Sequence, residues 1–324
     1  MVNKTSKIHT LELAFFKKFP DFSSPGFNEK EYYNIYMNSS VLINARSRHA
    51  KFPENPGGPL TIKHVFKGEE YYLSGNRLYR VNKKNFLLFN QSQKYSSYIN
   101  TDEETHSFSV FFESSFVNSV LSSLLMPQDK ILESPDNTKS YPGQLNFIET
   151  LYPADNFIIP LLAEIRQSMI HKDHSAEYYG ERLYCLLAEV LKLNRQLYGS
   201  IQKVQAVKLS TKLEVYKRLC IARDYIESSI EQKVTLGQIA KASCMCEHHL
   251  LREFRKYYNL TPYQYLIRAR LNNARELLSA SEMPVSEISI ESGFEYLSSF
   301  SQSFIRHFKM TPTDYRRSQK VNSK

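Results

Sequence analysis

The sequence predicts an α+β protein of two domains, with an antiparallel β-barrel in front and an all-α domain behind. Three observations support this prediction. Short runs of β-forming residues fill positions 41–113, and helical patterns that contain an internal repeat fill positions 212–318. Positive charge is concentrated in the helical part. With 324 residues, the chain is long enough for two ordinary domains.

The predicted barrel consists of short strands at roughly ten-residue spacing, which is typical of a small antiparallel barrel or sandwich. Residues 1–35, ahead of the strands, are expected to form a short helix and then irregular chain. The strands are VLINARS, LTIKHVF, EEYYLS, RLYRV, NFLLFN, YSSYIN and HSFSVFFE, and the turns between them include Pro56–Pro59, Gly68, Ser74–Asn76 and Thr101–Glu104.

Two helical patterns are predicted after the strands. Residues 127–153 are polar and proline-rich, so we expect a long loop there. The helices follow at 156–171 and 175–198, each with one apolar face. Such helices either close one side of the barrel or pair with the same helices of a second subunit, and we favour the dimer. The front domain is therefore expected over 1–198, with 199–211 as a linker.

The back of the chain contains an internal repeat, in which Thr235–Lys256 corresponds to Val285–Lys309. The offset is 49 residues before the turn and 50 after it, as expected if one copy has an extra residue in its turn. The matched positions are Ile239-Ala240 with Ile288-Ser289, Leu250 with Phe300, Phe254 with Phe304, Thr261-Pro262 with Thr311-Pro312, and Tyr265 with Tyr315.

Each copy has the pattern of a helix-turn-helix unit, with a short helix, a tight turn and an amphipathic second helix. Gly293 suits the second turn because glycine readily adopts positive φ. The second helix of such a unit can lie in the major groove of DNA. A single pattern of this kind also fits an ordinary helix pair, but two copies at a fixed spacing favour DNA binding.

A long helix is predicted between the two copies. Asn259 ends the first copy, and Thr261-Pro262 begins a helix that continues to about Ser279. Its ~18 residues span about 27 Å, which is near the ~34 Å of one duplex turn. We expect this spacing to bring the two recognition helices to successive major-groove faces on one side of DNA.

Charge distinguishes the two halves of the chain, whose formal net charge is +9. Residues 208–324 hold 19 Lys/Arg and 12 Asp/Glu, a net charge of +7, and the other 207 residues hold 23 and 21, a net charge of +2. A concentrated positive surface is what binding to a phosphate backbone requires.

Several classes of protein are disfavoured by what the sequence lacks. It has no 18-residue apolar run, and its N-terminal apolar patch is too short for a secretory signal, so we expect a cytoplasmic protein without membrane segments. The four cysteines show no disulfide pattern. His49, His64 and His106 are scattered, so we predict no metal, cofactor or catalytic residue. Some tyrosines could line a ligand pocket, although most are expected to be ordinary strand residues: Tyr71, Tyr72, Tyr79, Tyr95 and Tyr98.

Between residues 212 and 317 the chain resembles the AraC/XylS family of bacterial transcription regulators. The residues that carry the resemblance are Ile288, Ser292–Phe294, Ser298, Phe300, Phe304, Phe308, Thr311-Pro312 and Tyr315-Arg316, with Arg270, Ala274 and Leu277-Leu278 in the connecting helix. The resemblance implies a domain of seven helices with two helix-turn-helix units over 212–318. It also implies a cupin-like N-terminal domain that dimerises and senses a small-molecule effector, with double-stranded DNA and RNA polymerase as partners.

The resemblance also implies which residues contact DNA. The base-contacting positions are His248, Leu251 and Arg252 in the first recognition helix, and Leu297, Ser298, Ser299, Gln302 and Arg306 in the second. Arg252 suits a guanine and Gln302 an adenine. Phosphate contacts are expected from Arg255, Lys256 and His307.

The chain departs from the family pattern at a few of these positions. In the first turn, Cys244 and Cys246 replace the usual glycine and serine. In the second recognition helix, Gln302 stands where many members have arginine, and Ile305 and Lys309 replace a basic residue and a glycine. We therefore expect the second unit to bind DNA more weakly, and base preferences to differ from those of relatives.

The sequence thus predicts a sequence-specific DNA-binding transcription regulator, an activator rather than a repressor, whose effector it does not identify. One alternative is a cupin-type enzyme carrying a DNA-binding domain, which would need clustered metal ligands. A second is an architectural protein that bends DNA without a preferred site. A repair methyltransferase is disfavoured because the first 184 residues contain no cysteine.

Overall fold

The computed structural model describes residues 13–20, 24–25, 27–125, 146–154, 157–171, 174–201 and 209–322. The chain divides into two compact units, Met1–Ser200 and Ile201–Lys324. Helices occupy both ends of the predicted linker at 199–211, because one ends at Ile201 and the next begins at Leu209. The predicted loop at 127–153 lies largely outside the described residues.

The first unit is built on a sheet of eight strands whose order is β1-β2-β7-β3-β6-β8, with β4 paired to both β5 and β7. Its strands are β1 (Leu13–Phe16), β2 (Ser40–Phe52), β3 (Thr61–Lys67), β4 (Glu69–Ser74), β5 (Arg77–Asn82), β6 (Asn85–Phe89), β7 (Ser96–Phe111) and β8 (Leu151–Pro153). The prediction of a purely antiparallel sheet was wrong in one respect, since β1 pairs with β2 in parallel.

Two of the predicted strands are one strand in the structure. The residues predicted as the turn Thr101–Glu104 lie inside β7, which runs unbroken from Ser96 to Phe111. Opposite them the register of β2 shifts, because Ser47 pairs with Thr105 while His49 pairs with Asn100. The polar residues therefore mark a β-bulge, which bends a strand without ending it.

In the described part of this unit the sheet is accompanied by α1 (Glu29–Asn38), α2 (Ser114–Leu125), α3 (Ile158–His171) and α4 (Ala176–Ile201). The N-terminal prediction of a short helix followed by irregular chain lies partly outside the described residues, and within 13–35 it missed β1 and the start of α1. Helix α2 was not predicted. Helices α3 and α4 were predicted within three residues of their observed ends.

The two faces of the sheet have different coverings. Alternate strand residues such as Ile62, Phe108 and Val110 pack with the apolar faces of α3 and α4 in one large core. The residues between them in sequence point to the opposite face, as the two-residue period of a strand requires. There Ile43 and Phe111 pack against Tyr36 of α1. Because α3 and α4 cover the first face, the apolar stripes that suggested a dimer are used within this unit.

The second unit is helical throughout its described part. Its helices are α5 (Leu209–Ser228), α6 (Leu236–Ala242), α7 (Glu247–Tyr258), α8 (Pro262–Ala280), α9 (Val285–Glu291), α10 (Leu297–Phe308) and α11 (Pro312–Asn322). Two apolar cores lie along α8, one with α5, α6 and α7 around Leu250 and Phe254, the other with α9 and α10 around Phe300 and Phe304.

Among the described helices, none combines the length and the apolar character needed to cross a lipid bilayer.

Candidate DNA-binding surface

The first recognition helix is α7, which follows α6 after a four-residue turn. Helix α6 begins with a capping box, in which Thr235 and Gln238 each bond the backbone N–H of the other. Leu250 and Phe254 of α7 are fully buried, four residues apart on one face. The helix ends at Asn259, whose φ of 58° is left-handed as predicted for a helix stop.

The opposite face of α7 carries the predicted contact residues. His248, Arg252, Arg255 and Lys256 are exposed, and Leu251 is half-buried beside them. The α-helical period thus places the base-contacting and phosphate-contacting candidates on the solvent side, one turn apart. Arg255 and Lys256 also lie in the last turn of α7, where positive charge is favoured by the helix dipole.

Glu253 is a residue of this helix that the sequence prediction did not include and that contacts the predicted site residues. Its carboxylate is buried, and its Oε1 lies 2.8 Å from Arg252 Nε, 3.7 Å from Lys256 Nζ and 3.9 Å from His249 Nε2. One carboxylate therefore attracts three basic groups of the recognition helix. Because Arg252 uses its Nε here, Glu253 limits the orientations that the exposed guanidinium adopts.

The second recognition helix, α10, repeats the geometry of α7 with less charge. Phe300 and Phe304 are fully buried. Lys309 ends the helix with a φ of 61°, a left-handed conformation equivalent to that of Asn259. The predicted base-contacting residues all lie on its exposed face: Leu297, Ser298, Ser299, Gln302 and Arg306.

His307 lies on the exposed side of α10 among basic residues. Partial burial lowers the pKa of His307 below its ordinary 6.5, and the charges of Arg268, Arg275 and Lys309 lower that pKa further. The imidazole is therefore mostly neutral at pH 7.5. Arg268 and Arg275, on α8, join this surface from another helix, and the sequence prediction did not include them. The sequence pattern of α8 shows which residues share a face of that helix, but it does not show that Arg268 and Arg275 lie near α10.

The two turns of the helix-turn-helix units have the same backbone hydrogen bonds. Met245 N–H donates to Ala240 at 2.9 Å, and Phe294 N–H donates to Ser289 at 3.0 Å. The central residue is left-handed in each, with φ of 52° at Cys244 and 81° at Gly293. Cys244 therefore takes a conformation that glycine adopts at lower cost.

A buried arginine joins the two units. Arg270 of α8 donates from Nε to the Ile230 carbonyl at 2.7 Å and from Nη2 to the Gln232 carbonyl at 2.6 Å, both in the loop before α6. Gly293 packs directly on this pair, since a Cβ there would lie 2.8 Å from Arg270 Nε and even closer to the Ile230 oxygen. The second turn thus contacts the loop before α6, in the first helix-turn-helix unit. These contacts hold the two helix-turn-helix units in one arrangement.

No group of three or more potential metal ligands is present among the described residues. His49 bonds Asn100, His106 bonds Glu104, and His64 bonds the Asn85 carbonyl. Each of these three scattered histidines thus has a hydrogen-bond partner within the protein.

Comparisons with known proteins find matches to the part of the chain that carries this surface. A family model described as a helix-turn-helix domain matches residues 239–318. The chain is 32% identical over 92 residues to the probable transcriptional regulator LumQ of Photobacterium leiognathi. This match covers 28% of this chain and 37% of LumQ. It is 29% identical over 157 residues to the HTH-type transcriptional regulator ArgR of Pseudomonas aeruginosa, covering 48% of this chain and 46% of ArgR.

A longer match is to the HTH-type transcriptional activator RhaS of Escherichia coli, with 25% identity over 289 residues, 86% of this chain and 92% of RhaS. Among solved structures, an AraC-type DNA-binding protein from Chromobacterium violaceum is 29% identical, covers 32% of this chain and 91% of that chain, and has a TM-score of 0.31. The chain spans less than half the length of LumQ and ArgR.

Proposed function

We propose that this chain, whose C-terminal helices form a DNA-binding domain of the AraC/XylS family, is a sequence-specific transcription activator controlled by a small effector at its N-terminal unit. One observation supports DNA binding above the others. Two amphipathic helices, α7 and α10, bury the same positions, and at three equivalent exposed positions both carry a polar or basic residue: His248 and Ser298, Arg252 and Gln302, Lys256 and Arg306. Arg270 and Gly293 connect the two helix-turn-helix units to which these helices belong.

In this proposal the first recognition helix supplies the strongest base contact. Arg252 holds its Nε against Glu253, and the terminal nitrogens of its guanidinium match the O6 and N7 acceptors of guanine. His248 contacts an adjacent base edge, and Leu251 contacts a thymine methyl group. Arg255 and Lys256 bind phosphates, which position the helix without reading sequence.

The second recognition helix reads bases with mostly neutral groups. Gln302 pairs with adenine, Ser298 and Ser299 bond to base edges or phosphates, and Leu297 contacts a thymine methyl group. Arg306 contributes a charged contact, and His307 binds a phosphate. With less charge than α7, this helix contributes less affinity and a weaker salt dependence.

Control and partners follow from the family. The N-terminal unit binds the effector and forms a homodimer, the protein acts in the cytoplasm, and the DNA-bound form recruits RNA polymerase. The enzyme alternative would need a cluster of metal ligands in the first unit, and the histidines described there are each bonded to a non-metal partner. The architectural alternative predicts no preferred DNA site.

The decisive experiment is selection of binding sites from a random duplex library by the full chain, followed by titration of Arg252→Ala on the selected site. We expect a defined site, a loss of about 1–3 kcal/mol for Arg252→Ala, and relaxed preference at one base position. Gln302→Ala is the matched control, and should relax a different position. Equal weakening of Arg252→Ala on all sequences would make Arg252 a phosphate contact, and selection of no site would favour the architectural alternative.

A further inference from the structure

The first unit contains a cavity on the face of the sheet opposite α3 and α4. Its volume is about 80 Å³, room for several water-sized groups, and it opens to solvent at its mouth. Strand residues form its floor, α1 forms one wall, and the loop between β2 and β3 forms another. Most of the lining is aromatic or apolar, including Tyr32, Tyr36, Phe52, Tyr95 and Phe111.

A lysine side chain lies at the floor of this cavity. Lys63 of β3 is only 6% exposed, although lysines are almost never buried without a partner. Its Nζ lies 3.2 Å from Ser109 Oγ and 4.2 Å from the ring centre of Phe111, with the rings of Tyr95 and Tyr72 at 5.3 and 5.7 Å. Burial lowers the pKa of Lys63 from its ordinary 10.5 to about 7.

The nearby carboxylate does not form an ion pair with Lys63. Glu70, on β4, accepts hydrogen bonds from Ser97 at 2.9 Å and Ser107 at 2.6 Å, one at each oxygen. Its attraction raises the pKa of Lys63, but burial outweighs it. Within the described part of the chain, Lys63 thus has one neutral acceptor for three donors. A buried ammonium in this state is costly unless an anion reaches it.

We propose that this cavity is the effector site and that the effector is a small organic carboxylate with a flat apolar body, whose carboxylate pairs with the ammonium of Lys63. The aromatic walls accept the apolar body by stacking and edge contacts. The ammonium supplies charge-assisted hydrogen bonds to the carboxylate. The regulatory role of the bound acid rests on the proposed function, whereas binding of the acid does not depend on DNA.

The direct test compares acids with their own primary amides, which have the same shape without the charge. The full chain is titrated by calorimetry with 3-phenylpropionate and 3-phenylpropanamide, within a panel of such aryl and alkyl pairs. We expect at least one acid to bind about tenfold or more tightly than its amide, a difference of about 1.4 kcal/mol. If no acid in the panel binds more tightly than its amide, the proposal is wrong.

Two variants assign the effect to one side chain. Lys63→Met removes the charge with little change in volume and should abolish the preference for the acid. Because it also removes a buried charge, the variant should fold at least as stably, checked by its melting temperature. Lys67→Met, on the same strand but exposed, is the control and should keep the preference. An acid preference that survives in Lys63→Met would overturn the proposal.

The pH dependence of acid binding gives a second test. The groups facing Lys63 are Glu70 and Tyr72 from β4, Tyr95 beside β7, and Tyr32 and Tyr36 from α1. Burial raises the pKa of all four tyrosines, so they stay protonated up to pH 9. With the ligand's carboxylate ionised above about pH 5, acid affinity should therefore be highest near pH 6 and fall about tenfold between pH 6 and pH 8, while amide affinity stays unchanged. Acid affinity that does not fall over this range contradicts the proposal.

The failure of this proposal is separable from failure of the proposed function. DNA binding of the wild type and of Lys63→Met is measured on the selected duplex without any acid, and we expect equal affinities. A chain that prefers acids but selects no DNA site would contradict the regulator and leave the carboxylate site standing. A chain that selects DNA but never distinguishes an acid from its amide would do the reverse.

Discussion

The two helix-turn-helix units bury equivalent residues but expose different ones. Leu250 and Phe254 in α7 correspond to Phe300 and Phe304 in α10, and all four are fully buried. On the outside, α7 presents four basic or histidine side chains around its centre, while α10 presents serines, a glutamine and fewer charges. The repeat therefore preserves the core, and it leaves each surface free to bind a different part of the DNA.

A second difference lies just beneath the surface. Glu253 in α7 orients the basic residues around it, and the equivalent position in α10 is Ser303. Arg252, exposed on α7, is therefore oriented by a buried carboxylate. Preorganised groups lose less conformational freedom on binding, so we expect the same number of DNA contacts to give more affinity in the first helix-turn-helix unit.

The turns differ in what surrounds them. Cys244 and Gly293 have the same left-handed backbone, but Cys244 is exposed whereas Gly293 packs on Arg270 and the Ile230 carbonyl. Arg218 donates to the Cys244 carbonyl at 2.9 Å, which fixes the first turn within its own unit. Among the contacts described for the two turns, those of Gly293 with Arg270 and Ile230 join the two helix-turn-helix units.

The largest effect should come from Gly293→Ala. The added Cβ would displace Arg270 or Ile230 and would strain a backbone with positive φ, so we expect a loss of about 3 kcal/mol in unfolding free energy. Cys244→Gly is the matched change in the other turn. It relieves left-handed strain but adds freedom to the unfolded chain, so its effect should stay within about 1 kcal/mol.

Denaturant unfolding of the full chain, followed by circular dichroism for its helical transition, measures both changes. Gly293→Ala should also weaken DNA binding, since it disturbs the arrangement of the two units. If both variants destabilise the chain equally, the contacts of Gly293 with the first unit are not what distinguishes the turns.

Much of the helical unit, residues 201–324, was predictable because its sequence signals are local. The offset of 49 or 50 residues is enough to identify the buried phenylalanines, the capping threonine and the two turns. The comparisons confirm the resemblance to AraC/XylS regulators that rested on these residues. Helix ends and apolar faces depend on residues three or four apart, which a sequence displays directly.

The prediction failed where contacts are distant in sequence. Arg270 was noticed as a family match, but its bonds to Ile230 and Gln232 join residues about 40 positions apart. Thr101–Glu104 has the composition of a turn, and its strand conformation is stabilised by the pairing of β7 with β2 on either side. Lys63 was hidden for the same reason, since only the assembled sheet buries it between Ser109 and three rings. Local propensity yields to such tertiary pairing.

A smaller effect is expected from Glu253→Gln. It leaves Arg252 and Lys256 without their buried counter-charge, but both partners are well exposed, so we expect a loss of about 1–2 kcal/mol in stability. Discrimination at the base read by Arg252 should fall, because the guanidinium loses its fixed partner. Ser303→Ala in α10 is the control and should change neither quantity by more than about 0.5 kcal/mol. Unchanged discrimination in Glu253→Gln would mean that Glu253 contributes to folding only.

The smallest effect concerns the salt dependence of DNA affinity. Arg255 is expected to place a positive charge against a phosphate, so Arg255→Gln should reduce the slope of log affinity against log salt by about one at pH 7.5. The pKa of His307 is lowered below 6.5, so His307→Gln should leave the slope unchanged at pH 7.5. As the pH falls through that pKa the imidazole gains charge, and the wild-type slope should steepen more than that of His307→Gln, which keeps the histidines of α7. Filter-binding titrations at several salt concentrations give the slopes. A reduced slope for His307→Gln at pH 7.5 would show that DNA itself draws a proton onto the histidine, and the two helices would then be closer in charge than the free protein indicates.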